Sequence, residues 1–247
     1  MKPYGSFSDD FYVNLHVGTE MDLPSSRDSV LHHFEQLRRR FPTLRNFYGR
    51  DRGEYVIEED KDKGNYRWAS VDPKRICSGY VNPPEVAVAY EQHAVVLEMI
   101  PYTLSVSPLD CESINVMYGF DFNFRGNQNE VIADALGLPP AFERLREIEG
   151  TSLLTQEPSF QLAMDDDCRT QIRIAFETRT TAYHIRTRDF PEEQLSAYLT
   201  ARRLGSLEAG ETFVDAARRL FVIAEEILDH VMIPQILVPL QQTIAAK

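Results

Sequence analysis

The chain has 247 residues, of which 43% are hydrophobic and 26% are charged, and these values are typical of a globular protein rather than a disordered or fibrous one. Its 38 acidic and 26 basic residues give a net charge of −12, which repels phosphate backbones and anionic membrane surfaces, so no nucleic-acid and no membrane partner is expected. The N-terminus lacks the apolar core of a signal peptide, and no apolar stretch approaches the roughly 20 residues of a transmembrane helix, so a soluble, acidic, cytoplasmic protein is expected.

The chain is predicted to begin with a strand followed by a helix. Apolar and polar residues alternate over residues 11–17, which indicates a half-buried strand whose Asn14 and His16 face away from the core. Between Ser26, an expected N-cap, and Pro42, apolar residues recur at helical spacing. Pro42 is expected to end this helix.

Three strands and a second helix complete the first half. The strands are separated by turn-forming residues and are expected to pair as an antiparallel meander: residues 54–60, 65–71 and 75–81. Pro83-Pro84 can begin the helix, because proline at the first helical position costs no hydrogen bond. The apolar face of this helix would carry Tyr90 and His93.

The second half is predicted to repeat the order of the first. Apolar side chains alternate from Ile114 to Phe124, which predicts a long strand. Asn127 is expected to cap a helix that Gly137 ends, and Pro139-Pro140 to begin a second, short helix.

Strands and a long helix are predicted for the remaining residues. The expected strands are residues 160–164, 168–178 and about 182–188, and a helix is expected after Pro191. From Phe213 onward, apolar residues recur at i, i+3, i+4 and i+7, which predicts a long amphipathic helix lying against a sheet. Pro234 and Pro239 are expected to limit its unbent length.

These elements predict an α+β fold with mostly antiparallel sheets and a long C-terminal amphipathic helix. The two strand-helix-three-strand-helix halves, residues 1–107 and 108–247, suggest a pseudo-duplication, although residue identity between them is slight. Two arrangements are open: the two sheets pair side by side into one continuous sheet, or they face each other across a ligand cleft. The halves can equally form one continuous domain.

Three short stretches resemble a known group of sequences. They are the segment from Phe11 to Phe41-Pro42, the strand end Tyr80-Val81-Asn82, and the late stretch Phe176-Glu177-Thr178-Arg179. Together they are similar to an uncharacterised, sporadically distributed family of bacterial proteins of about this length. The resemblance implies the fold class, and this family has no known activity to transfer.

The sequence contains no recognisable catalytic or cofactor-binding motif. Phosphate loops, dinucleotide fingerprints, nucleophile elbows and calcium loops are absent, and no two of the six histidines have the i, i+4 spacing of helical metal ligands. The acidic groups around Glu58 and at residues 165–167 lie where strands are expected to turn, so they are interpreted as solvated loops. Cys77, Cys111 and Cys168 are odd in number and widely spaced, which indicates reduced, buried thiols. We therefore expect no metal and no cofactor.

The candidate ligand-binding residues lie in the late strands. Alternate residues from 168 to 179 place apolar side chains on one face and charged ones on the other, and the next predicted strand adds to the charged face. The candidates are Arg169, Arg173, Glu177, Arg179, His184 and Arg186. Clustered arginines bind carboxylate or phosphate groups, and Glu177 or His184 would then act as a general base or an orienting group. Alternatively, the arginines pair with acidic residues and form an ordinary polar sheet face.

A second candidate surface is aromatic. Tyr66, Trp68 and Tyr80, with Arg67 beside them, could line a binding surface on the sheet of the first half. Aromatic side chains at strand positions equally suit packing within a sheet or core. The two interpretations predict different exposures for these rings.

Because no acid, base, nucleophile or metal set can be named, the sequence favours a non-enzymatic cytoplasmic protein that binds a protein partner or a ligand, with a homodimer as one arrangement. The alternative is an enzyme or sensor that binds a small anionic molecule through the arginine-rich sheet face. A third hypothesis, a component of a larger assembly, predicts an exposed apolar patch or an unpaired sheet edge.

Overall fold

The computed structural model describes residues 4–24 and 26–247. Residues 1–3, which belong to the segment tested for a signal peptide, and Ser25 lie outside the described residues. The strands are β1 (Asp10–Thr19), β2 (Asn46–Gly49), β3 (Tyr55–Glu58), β4 (Tyr66–Val71), β5 (Arg75–Val81), β6 (Cys111–Arg125), β7 (Ser159–Ala163), β8 (Thr170–Glu177) and β9 (Glu192–Leu204). The helices are α1 (Arg27–Arg40), α2 (Val86–Thr103), α3 (Gln128–Leu136), α4 (Pro140–Arg146), α5 (Ala182–Thr187), α6 (Phe213–Ile227) and α7 (Val238–Ala245).

Within the described residues, the nine strands form a single antiparallel sheet in the order β2-β3-β4-β5-β1-β6-β9-β8-β7. The first strand of each half, β1 or β6, lies at the centre, and these two strands pair with each other. The remaining strands of each half extend outward from its central strand. The chain therefore adopts the side-by-side arrangement, and the predicted α+β class with antiparallel pairing is confirmed.

The core lies between the sheet and a layer of helices on one of its faces. Helix α2 contacts β1 and β5, and helix α6 contacts β6 and β9. Alternate residues of the central strands are fully buried there, as the period of two predicts: Phe11, Val13, Leu15 and Val17 of β1, and Ile114, Val116, Tyr118 and Phe120 of β6. The opposite face of the sheet carries the intervening side chains.

Most predicted elements of the first half are confirmed. Helix α1 begins where expected, because the hydroxyl of the N-cap Ser26 accepts a hydrogen bond from the backbone N–H of Ser29. The helix ends just before Pro42. Strand β2 was missed by the sequence reasoning, since four residues are too few to show a period of two.

The predictions for residues 182–188 and for the residues after Pro191 were wrong. Residues 182–188 were expected to form a strand, but α5 occupies this stretch, because Thr181 and His184 make a capping box that starts a helical turn. Residues after Pro191 were expected to form a helix, but they form β9. Its buried apolar residues alternate from Leu195 to Ala201, and tertiary pairing with β6 and β8 outweighs the helix-start signal of Pro191.

The C-terminal helix runs further than its prolines suggested. Between α6 and α7 the backbone is π-helical over Leu228–Leu237, so the helical run from 213 to 245 is continuous. Pro234 lies within the π-helical segment, where the wider hydrogen-bond pattern replaces the i→i+4 bonds that proline disrupts. No helix in the described part of the chain is both long and apolar enough to cross a lipid bilayer.

Candidate functional site

The predicted arginine face is largely occupied by contacts within the chain. The guanidinium of Arg169 donates hydrogen bonds to the carbonyls of Leu204 and Ser206, at 3.1 and 2.6 Å, and lies 3.4 Å from a carboxylate oxygen of Glu208. Arg169 therefore ties β8 to the loop that follows β9. These contacts leave it poorly placed to bind an external anion.

Arg179 and Glu177 form a local pair. Their closest charged atoms are 3.6 Å apart, and Glu177 also accepts a hydrogen bond of 2.8 Å from the hydroxyl of Tyr198. Arg179 donates to the hydroxyl of Ser196 at 3.1 Å. Burial lowers the pKa of the Arg179 guanidinium, but Tyr198 and the Glu177 carboxylate more than offset this effect, so its pKa is raised.

His184 and Arg186 do not extend the polar sheet face, because they belong to α5. His184 accepts the backbone N–H of Thr181 in the capping box, and the Arg186 guanidinium lies 5.6 Å from the ring centroid of Tyr183. The two residues therefore do not share a strand face with Arg173 of β8. The prediction that they extend the charged sheet face was wrong, because residues 182–188 form a helix and not a strand.

Arg173 remains as an exposed candidate. Its Nε donates to the hydroxyl of Ser159 at 3.0 Å, and it makes no ion pair within residues 4–24 and 26–247. Arg202 of β9, which the sequence reasoning missed, likewise has no ion pair there, and its Nε donates to Gln171 at 2.8 Å. Thr200 lies opposite Arg173, so the two arginines are diagonal neighbours on one face, roughly 7–8 Å apart at Cα.

The aromatic candidates are divided between the two faces of the sheet. Trp68 packs over Gly79 so closely that a Cβ at Gly79 would come within 2.2 Å of the indole ring. Tyr80 points to the opposite face, where the Arg67 guanidinium lies 4.5 Å from its ring centroid. The aromatic rings therefore act mainly in sheet packing. A polar cleft of about 650 Å³, lined in part by Arg67 and Tyr80, opens beside them.

The three cysteines form no disulfide bond, and their exposures differ. Cys111 is buried, and burial raises its pKa to about 12. Cys77 is partly exposed, and burial of its thiol raises the pKa to about 11. Cys168 is exposed, which corrects the expectation that all three are buried. Among the described residues, no group of three or more His, Cys, Asp or Glu side chains could hold a metal ion.

A cleft of about 370 Å³ lies between α2 and α6. Apolar side chains line most of it, and Tyr90, Glu91, Arg218 and Glu225 supply the polar groups. The hydroxyl of Tyr90 donates to the carboxylate of Glu225 at 2.5 Å and also contacts the hydroxyl of Tyr118. Burial raises the pKa of Tyr90. The Tyr90 hydroxyl is thus engaged within the protein, and the cleft presents a mainly apolar wall.

Exposed apolar side chains are concentrated on α4, on the edge strand β7 and on the residues next to them. We define the edge surface as seven exposed apolar side chains on α4, β7 and the residues next to them: Phe142, Leu145, Ile148, Leu154, Phe160, Leu162 and Met164. Their exposed fractions range from 44% for Met164 to 64% for Phe160. Exposed apolar residues are ordinary when they are scattered, but a group of this size indicates an interaction site.

Strand β7 supplies one part of the edge surface. It is the last strand of the sheet, and no described strand pairs with its outer side. All five of its residues are exposed and none is charged. Natural proteins usually protect such an edge with charges, proline or a covering element, and β7 has no such protection over its length.

Helix α4 supplies the other part. Every residue of α4 is exposed, so the helix covers no part of its own chain's core. Phe142 and Leu145 are three residues apart and therefore lie along one side of α4, and the exposed Ile148 follows just after the helix ends. An apolar helix face that is left uncovered is normally buried against another element.

The segment between α4 and β7 is nevertheless anchored. The buried side chain of Asn129 donates to the carbonyl of Leu154 at 3.1 Å and accepts the backbone N–H of Gln156 at 2.7 Å. Asn127 donates to the carbonyl of Leu153 at 2.9 Å. These bonds hold the connecting segment against the start of α3. They fix residues 153–156, which lead into β7, relative to the helix layer.

Comparison of the chain with models of known protein families finds no match, and none of the curated proteins compared with it matches. The resemblance noted in the sequence therefore stays a prediction.

Proposed function

We propose that this protein is a non-enzymatic binding protein that takes up a protein partner on its edge surface. The observation that carries the proposal is the coincidence of an unpaired, uncharged edge strand with an uncovered apolar helix. An exposed apolar patch or an unpaired sheet edge is what the sequence analysis predicts for a component of a larger assembly.

The exposed apolar area favours a protein partner over a small molecule. Phe160, Leu162 and Met164 at the sheet edge expose roughly 300 Å² of apolar surface, and the other four side chains, on α4 and the residues after it, expose roughly 400 Å² more. The roughly 800 Å² that each partner buries in a stable protein complex is of the same order. Small molecules, in contrast, usually bind in concave pockets. The partner best suited to this surface would add a β-strand beside β7 and place apolar side chains against Phe160 and Leu162.

The internal pairing of the arginine candidates supports a non-enzymatic role. Arg169 and Arg179 are held by Glu208 and Glu177, and Glu177 is shared with Tyr198. A catalytic carboxylate must be free to contact the substrate, whereas the Glu177 carboxylate is bonded to side chains of its own sheet. A cytoplasmic location belongs to the same proposal, because three thiols without a disulfide suit a reducing compartment. The net charge of −12 argues against nucleic acid as the partner.

The test uses the purified chain as bait in a cell lysate, followed by reconstitution of each captured protein from purified components. We expect at least one protein, the chain itself included, to bind, and Phe160→Lys to weaken that binding at least about tenfold. Val222→Lys is the matched control, because Val222 is 63% exposed, close to the 64% of Phe160, but lies on α6. The proposal fails if no reconstituted complex depends on Phe160.

A second candidate function is the binding of a small anion, which Arg173 and Arg202 favour because neither has an ion pair in the described part of the chain. Both lie on the sheet face that the helices leave open. This candidate predicts stabilisation of the protein by phosphate or a dicarboxylate, and the loss of that effect in Arg173→Ala.

A further inference from the structure

We infer that the partner of the edge surface is a second copy of this chain, paired through β7 about a two-fold axis at Gln161. The inference rests on the proposed function, because it names the occupant of the same surface. It makes β7 of each copy the neighbour of β7 in the other, so that the two sheets become one.

The sequence of β7 is suited to pairing with itself. Antiparallel pairing centred on Gln161 is the register that places all five residues of the strand opposite residues of the same strand in the partner. In this register Phe160 lies opposite Leu162 of the partner subunit, and Ser159 lies opposite Ala163 of the partner subunit. None of the five residues of β7 is charged, so no like charges meet within the paired strands themselves.

The pairing also brings together the exposed apolar side chains of Phe160 and Leu162 from the two subunits. Within the sheet, Phe160 lies opposite Ile174 and Leu162 lies opposite Ile172, and Ile172 belongs to the core. Phe160 and Leu162 therefore lie on the helix-covered face of the sheet, at a place that no helix of their own chain covers. A two-fold axis perpendicular to the sheet keeps both sets of side chains on the same face, so they meet at the junction.

Helix α4 is the natural cover for this junction. The chain carries an uncovered apolar helix face and an uncovered apolar sheet face, and within one copy the two do not bury each other, since all of α4 is exposed and Phe160 is 64% exposed. A second copy supplies each missing surface at once. The α4 helices would then complete the helix layer over the paired β7 strands, and the same patch is used on both subunits.

The ends of β7 set the salt dependence of this dimer. In the register centred on Gln161, Glu157 lies opposite Asp165 of the partner subunit. Each carboxylate is turned back to its own chain, since Glu157 accepts the backbone N–H of Thr178 at 2.6 Å and Asp165 accepts those of Arg169 and Thr170 at 2.8 Å. The remaining repulsion is between like charges, so salt should strengthen the dimer. A basic foreign partner would instead bind more weakly as salt is raised.

The first experiment measures the dimer dissociation constant of the full chain by analytical ultracentrifugation, at about 50 mM and about 500 mM salt. We expect a dimer that tightens with salt. Phe160→Lys should weaken the dimer by at least about 100-fold, because the substituted residue is present on both sides of a two-fold interface. Val222→Lys should change the dissociation constant by less than about threefold. Leu145→Glu tests the contribution of α4 in the same way.

The second experiment tests the register. Gln161→Cys is made in a Cys168→Ser background, which removes the exposed native thiol. Directly opposite residues of antiparallel strands have Cα atoms about 4.5–5.5 Å apart, within disulfide range, so mild oxidation should give a covalent dimer. Val222→Cys in the same background is the control and should cross-link much more slowly.

The results separate this inference from the proposed function. A chain that stays monomeric at all concentrations, with Gln161→Cys cross-linking no faster than Val222→Cys, would overturn the homodimer. If a foreign protein then binds and Phe160→Lys abolishes that binding, the proposed function stands with a different occupant. If neither the chain nor a foreign protein binds through Phe160, both proposals fall.

Discussion

Two buried histidines make the stability of this protein dependent on pH, and His93 gives the sharper case. His93 is fully buried, stacks on Phe221, and contacts the hydroxyl of Ser78 through Nδ1 at 3.0 Å. Its Nε2 has no hydrogen-bond partner within the described residues. Burial lowers the pKa of His93 to about 3, and burial likewise lowers the pKa of His33 to about 4. A protonated imidazole at either place would have a buried N–H without an acceptor at hydrogen-bonding distance among the described residues, and at His93 the backbone of Val13 offsets this effect only in part.

The sign and size of the effect follow from proton linkage. In the unfolded chain the pKa of histidine is near its ordinary value of 6.5, so between that pH and about 3 the unfolded state holds a proton that folded His93 excludes. The free energy of unfolding is therefore unaffected by His93 well above pH 6.5, and it falls as the pH is lowered through 6.5 toward about 3. From pH 7 to pH 5 the loss is about 2 kcal/mol for each such histidine, and it barely depends on how far the folded-state pKa lies below 5.

The assay is urea unfolding at pH 7 and pH 5, at one fixed protein concentration, for the wild type and His93→Gln. We expect the loss of unfolding free energy between the two pH values to be about 2 kcal/mol smaller in the variant. His230→Gln, which changes an exposed histidine, should behave as the wild type. An unchanged pH dependence in His93→Gln would refute the reasoning. If the variant does not fold, NMR titration of His93 in the wild type gives the same answer, because the ring should stay neutral at pH 5.

Three further predictions follow from other contacts. Gly79→Ala places a Cβ against the Trp68 indole, so it should cost about 1–3 kcal/mol of unfolding free energy and change the fluorescence of this single tryptophan. Asn129→Ala removes the amide that anchors the segment between α4 and β7, so it should cost about 1–3 kcal/mol and speed hydrogen exchange there, as read by mass spectrometry. Arg173→Ala should abolish any rise in melting temperature that phosphate or a dicarboxylate produces, and a rise that persists in the variant would place the anion elsewhere.

The sequence determined the elements whose signals are local. Alternation over residues 11–17 and 114–124 predicted the two central strands, because a period of two is a property of the strand itself. Helix α1 was equally readable, since its N-cap Ser26 and the proline after it are local signals. The α+β class follows from such elements.

Tertiary structure decided which strands became neighbours and which apolar groups were left uncovered. Residues 192–204 became β9 because β6 and β8 pair on both of its sides, so residues far apart in sequence decided its conformation. Arg202 was therefore missed as a neighbour of Arg173. The edge surface was missed for the same physical reason: an apolar side chain such as Phe160 reads as core in the sequence, and its exposure depends on whether any other element of the folded chain covers it.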